Sequence, residues 1–73
     1  MRFNCTEPVQ TGSRVLDIAR RLGLEFDDYR MTRAPEGGAV IALCLSTPDS
    51  AEARVFHARL RELVDLVPET EDA

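Results

Sequence analysis

Leu24-Glu25-Phe26-Asp27-Asp28-Tyr29-Arg30-Met31 is the stretch that decides the fold. Leu24 and Phe26 alternate in one phase, Tyr29 and Met31 in the other. Successive side chains of a strand point to opposite faces, so the two pairs share a face only if the strand bulges between them. The spacing therefore predicts a bulge at Asp27-Asp28, in a strand running from Leu24 to about Arg33. Two carboxylates are left at a bend instead of in a regular ladder.

Immediately upstream, Val15, Ile18, Ala19 and Leu22 recur at helical spacing, with Arg14, Asp17, Arg20 and Arg21 on the other side. Gly23 fits the left-handed position that ends a helix. Asp17 and Arg21, four apart, should form a surface pair. Glu7-Pro8-Val9-Gln10-Thr11-Gly12-Ser13 reads as the turn before this helix, with Thr11 or Ser13 as its cap. Further back, Phe3 and Cys5 alternate with Arg2, Asn4 and Thr6, as in a half-buried strand.

Downstream, Ala34-Pro35-Glu36-Gly37-Gly38 reads as a hairpin loop. In the strand Ala39 to Ser46, Ile41, Leu43 and Leu45 form a bulky face, and Val40, Ala42 and Cys44 a face of smaller groups. A strand apolar on both faces is central or is covered on its second face. The second helix starts in Thr47-Pro48-Asp49-Ser50, capped either by Thr47 before Pro48 or by Asp49 with Glu52 three residues on. Ala53, Phe56, Leu60 and Leu63 are its buried stripe, with Arg54, Arg59, Arg61 and Glu62 on the wet face. Val64 to Val67 makes a last short strand that Pro68 ends. Two strand–helix–strand units in tandem predict an α+β fold, a ferredoxin-like βαββαβ sandwich with an antiparallel four-stranded sheet and two helices on one face. Residues 1–68 form the domain, and 69–73 an acidic, frayed tail.

Seventy-three residues bury little surplus core, about 60% of the unfolded surface, so a second copy is the expected remedy. Net charge is −4, but Glu69, Glu71 and Asp72 supply three of the 13 acids, and all nine basic residues are scattered Arg. Neither nucleic acid nor an anionic membrane is implied. No signal-peptide pattern or membrane-length apolar run is seen, and the two unclustered cysteines fit a reducing cytoplasm. Cys5 and Cys44 should face opposite sides of the sheet and stay unbridged.

No residues stand at metal-ligand spacing, and His57, the one histidine, lies on a wet flank without an orienting partner, so no catalytic set is expected. RNA binding needs exposed aromatics on the central strands, where Val40, Ala42 and Cys44 stand. An acyl-phosphate hydrolase of this fold would need an Arg in the loop after the first strand, and Glu7 to Ser13 has none. A bent strand straight after an amphipathic helix instead fits a small regulatory module. The start of the first helix offers free N–H groups to a carboxylate, and Asp27 and Asp28 on a neighbouring strand could hold an ammonium group. The other reading is a capped helix beside two solvated acids.

Gly23 to Met31 resembles the second strand of an ACT domain, where a Gly-led strand breaks phase at the same place. Leu60-Arg61-Glu62-Leu63-Val64-Asp65-Leu66 is similar to the L-x-K-L-[IV]-D-V run of the small regulatory subunit of acetolactate (acetohydroxyacid) synthase. Ser13-Arg14-Val15-Leu16-Asp17-Ile18-Ala19 resembles that subunit's first helix. The likeness covers nearly the whole chain and is to the short, single-domain kind. It implies a non-catalytic homodimer, without a cofactor of its own, that activates a thiamine-diphosphate-dependent catalytic subunit in branched-chain amino-acid biosynthesis. It also implies an amino-acid site between paired domains, at Pro8, Val9, Gln10, Thr11, Gly12 and Ser13 of one chain and Asp27, Asp28, Tyr29 and Met31 of the other. The family's loop reads N-x-P-G-[VI]-L; here the Asn and the Gly after Pro are missing, so weak or absent valine binding is expected. The alternative is a stand-alone ACT-type amino-acid sensor acting on a different enzyme.

Overall fold

The computed structural model describes residues 1–63 and 65–68; the expected acidic tail, 69–73, lies outside them. The chain runs through β1 (Arg2–Cys5), α1 (Pro8–Leu22), β2 (Phe26–Arg33), β3 (Ala39–Leu45) and α2 (Ala51–Arg61). Three antiparallel strands form the sheet, with β3 between β2 and β1. Two residues, Val67–Pro68, pair antiparallel with the outer side of β1, opposite Asn4 and Phe3. The last strand is thus shorter and later than the expected Val64 to Val67, and Pro68 belongs to it. The Leu66 N–H donates to the Leu63 carbonyl at 3.0 Å, and Val64, where the strand was expected to start, lies outside the described residues. Pro68 is tolerated in the strand because an outer strand leaves one row of its backbone groups without a partner.

The bulge in β2 is present. Phe26 pairs with Leu45 and Asp28 with Cys44, so the register shifts between them. Beyond it Tyr29 faces Leu43 and Met31 faces Ile41. Directly opposed residues share a face, so Phe26, Tyr29 and Met31 all point to the side of the sheet that carries the core. The strand starts at Phe26 rather than Leu24, whose N–H instead closes the end of α1 on the Ala19 carbonyl, 2.9 Å away. Gly23, at φ 72°, makes that reversal possible.

Phe3, Cys5, Ile41, Leu43 and Leu45 join Val15 and Ala19 of α1 and Ala53, Phe56 and Leu60 of α2 in one buried cluster, so both helices cover the same face. Phe56 is fully buried, its ring centroid 6.1 Å from that of Phe26. The opposite face carries Arg2, Asn4, Asp28, Arg30, Thr32, Val40, Ala42 and Cys44. Cys5 is buried and Cys44 exposed, both as free thiols, as the opposed faces require.

Neither helix begins as the sequence implies. Pro8 opens α1 and Thr11 and Gly12 are already inside it, so residues 8–13 are helix, not turn, and neither Thr11 nor Ser13 caps it. Proline suits the first helical position because its ring fixes φ there and its missing N–H has no helical partner to lose. Helix α2 is capped by Ser50, which accepts from Ala53 N–H at 3.1 Å, and not by Thr47 or Asp49. Thr47 instead accepts from the Ser50 N–H and hydroxyl, which orients that cap. Among the described residues no helix is long and apolar enough to cross a membrane.

Candidate functional site

The start of α1 is where the expected site would lie. Glu7, Pro8, Val9, Gln10, Ser13 and Arg14 line a shallow depression of about 620 Å³. Val9 is 80% exposed in it, an unusual place for a β-branched apolar side chain. Gly12 faces inward. A Cβ there would stand 2.7 Å from the Met31 methyl carbon and 3.2 Å from the Tyr29 hydroxyl. The absence of a side chain at Gly12 is what lets α1 close onto β2. Gly12, Tyr29 and Met31 are therefore brought together within one chain.

The two acids are not brought to that place. Asp27 accepts a 2.8 Å hydrogen bond from the Ser46 hydroxyl, at the far end of β3. Asp28 is on the sheet face away from the helices and pairs with Arg30 at 3.2 Å. Any ammonium contact from Asp28 to the start of α1 would have to come from a second chain, as the likeness implies.

Sequence reasoning missed Asp65. Its carboxylate accepts from the Thr6 N–H at 2.9 Å and the Glu7 N–H at 3.0 Å, and from the hydroxyls of Thr6 and Thr11. These are the amides just ahead of α1, where an anion is favoured by both the dipole and the unpaired donors. The chain's own carboxylate thus takes the amides next to the place expected for a ligand's, and the Thr11 hydroxyl within it. Hydrogen bonds from Thr11, Thr6 and Glu7 hold the Asp65 carboxyl well below the usual carboxylate range. Thr11 is buried because it serves this contact. No local signal could have found Asp65, since its partners are 54 to 59 residues away in the chain.

The Tyr29 hydroxyl is buried beneath Gly12 with no hydrogen-bond partner among the described residues, and burial followed by the nearby Cys5 pushes its pKa up. An unsatisfied buried hydroxyl is costly. Here the ring's packing against Phe26, centroids 5.5 Å apart, holds it in place. Among the described residues no group of three His, Cys, Asp or Glu is arranged to hold a metal ion. His57 is exposed on α2, and partial desolvation of its ring where it lies against the helix, then Arg61 and the N-terminal ammonium, lower its pKa. Comparison of the chain with family models, with curated proteins and with solved structures returns no match.

Proposed function

We propose that this chain is an ACT-type regulatory module of ferredoxin-like βαββαβ topology, the non-catalytic small subunit of acetolactate synthase. The observation that carries the reading is the bulged β2 at the edge of the sheet, with α1 closed onto it at Gly12. An edge strand presents a row of unpaired N–H and C=O groups. Beside it Met31 is 40% and Leu16 43% exposed, and both would be buried by a second copy laid along β2. In that dimer the α1 start of one chain faces the β2 stretch of the other, and the module acts in the cytoplasm by binding the catalytic subunit.

Amino-acid binding in this reading is weak. An incoming α-carboxylate competes with Asp65 for the Thr6 and Glu7 amides, and the Tyr29 hydroxyl is covered by Gly12. The second reading, a stand-alone amino-acid sensor for a different enzyme, uses the same surface and the same dimer.

The test is reconstitution. The chain should raise or stabilise the activity of an acetolactate synthase catalytic subunit and co-purify with it. Failure to bind any such subunit removes the first reading. Sedimentation equilibrium should give a dimer at high micromolar concentration, and a strict monomer counts against both readings. Calorimetric titration with valine, leucine and isoleucine should show weak or no heat; tight valine binding overturns the account of the altered loop.

A further inference from the structure

Strand β2 is the longest of the sheet, and its outer side pairs with no other strand among the described residues. An edge of eight residues offers a row of main-chain donors and acceptors that another strand can complete. The register shift puts Phe26, Tyr29 and Met31 on the helix side of that edge and Asp28, Arg30 and Thr32 on the bare side. Asp28 and Arg30 meet within the chain at 3.2 Å, so the edge carries both signs and no net attraction for an anion or a cation. What can select a partner is the order of the two signs along the strand.

We infer that β2 pairs antiparallel with β2 of a second copy about a two-fold axis at Tyr29. This pairing rests on the second copy of the reading above and adds its register. A two-fold axis normal to the sheet keeps the helices of both copies on one side, so each closed register is centred on one residue of β2. Centred on Tyr29, Asp28 stands opposite Arg30 of the second copy and Arg30 opposite its Asp28, which gives two charge pairs. Asp27 is the extra residue of the bulge, so the next position on the helix side sets Phe26 against Met31 of the second copy, again twice. That contact would cover Met31, which is 40% exposed in the single chain.

Other centres lose these matches. An axis at Asp28 or at Arg30 opposes that residue to its own kind, and like charges directly opposite destabilise a ladder. An axis at Met31 opposes Tyr29 to Arg33 and Arg30 to Thr32, and makes no charge pair. Sign order, face and bulge agree only at Tyr29. A strand of another protein would have to reproduce that whole order, whereas a second copy has it by symmetry.

The test uses the full chain carrying Cys44→Ser, because Cys44 stands directly opposite Asp28 in β3. Asp28→Cys and Arg30→Cys, both at exposed positions, are oxidised with copper phenanthroline, separately and as an equal mixture. Directly opposed antiparallel residues have Cα atoms about 4.5–5.5 Å apart, within disulfide reach. The mixture should give a cross-linked dimer, and each variant alone roughly tenfold less. Efficient self-linking of either variant would overturn the register and leave a β2-paired dimer standing. A dimer by sedimentation with no cross-link in the mixture would overturn the pairing along β2. Monomers throughout would overturn both the register and the dimer on which it rests. Charge variants read the same contact without cysteine. Asp28→Arg and Arg30→Asp should each weaken self-association roughly tenfold, and mixing the two should restore it. Each keeps a like-charge clash within its own chain, so recovery on mixing is not a folding effect, and absence of recovery would overturn the proposal.

Discussion

The two outer sides of the sheet are held by different means. On one, β2 is zipped to β3 over its length from Phe26 to Arg33, and its aromatic rings reach the core through the Phe26–Phe56 contact. On the other, among the described residues, Val67–Pro68 pair with the outer side of β1, and Asp65 ties the segment after α2 to Thr6, Glu7 and Thr11. One side is a main-chain ladder closed by a short local loop. The other is one carboxylate acting across the whole sequence. A long ladder distributes its stabilisation, whereas a one-residue tie concentrates it and makes it sensitive to pH.

Substitutions can break what the two sides share, or either one alone. The largest effect is expected at Phe56, fully buried beneath both helices' contact with the sheet. Phe56→Ala should cost about 3–5 kcal/mol, enough to unfold so small a domain, as read from urea denaturation. Gly38→Ala comes next. It targets the join between the hairpin loop and β1, where φ is 73° and a Cβ would stand 2.3 Å from the Cys5 carbonyl oxygen. Strain of that kind costs about 2 kcal/mol and should lower the denaturation midpoint without changing its slope.

Asp65→Asn tests the other side. A carboxyl whose pKa is lower in the folded than in the unfolded chain stabilises above the ordinary carboxylate value, and that contribution is lost as pH falls below it. The natural chain should therefore lose stability on acidification through that range more steeply than Asp65→Asn does. Hydrogen exchange in the variant should quicken at Thr6, Glu7 and Asn4 before it does in β2. Equal acid sensitivity in the two proteins would show that the tie contributes nothing.

The smallest effect belongs to His57→Ala, within about 0.5 kcal/mol at neutral pH because the residue is exposed. Its lowered pKa makes protonation favour the unfolded chain, so the variant should lose slightly less stability as pH falls through the ordinary imidazole value. Were His57→Ala the worse of the two α2 substitutions in thermal melts, the helix phase that buries Phe56 would be wrong.

The same contrast governs what the residues disclose. The bulge between Phe26 and Asp28 is legible because a phase break involves only neighbours, and the buried stripe Ala53, Phe56, Leu60 and Leu63 is legible by its period. Gly23 ends α1 where its backbone freedom implies. The start of α1 is not legible, because Gly12 looks like a turn residue, whereas it is a helical position kept bare by Met31 and Tyr29 across the layer. The cap of α2 is hidden for a related reason: Thr47, Asp49 and Ser50 are all competent, and the turn through Thr47 picks Ser50. Of the candidate site, Gly12, Tyr29 and Met31 do come together, while Asp27 and Asp28 are drawn off by Ser46 and Arg30. Those partnerships are set by strand register and not by spacing in the sequence.

The opposed thiols have a practical use. Cys5 and Cys44 sit on adjacent strands but look to opposite sides, one sealed under the helices and one in water. Burial, then the Asp65 charge, holds the Cys5 thiol above its ordinary pKa, so it resists alkylation while the chain stays folded. A maleimide added to the native protein would thus mark Cys44 at once and Cys5 only when the layers part. Two labelling rates on one molecule become two clocks: the fast one reports whether anything covers the bare side of the sheet, and the slow one reports how often the domain opens.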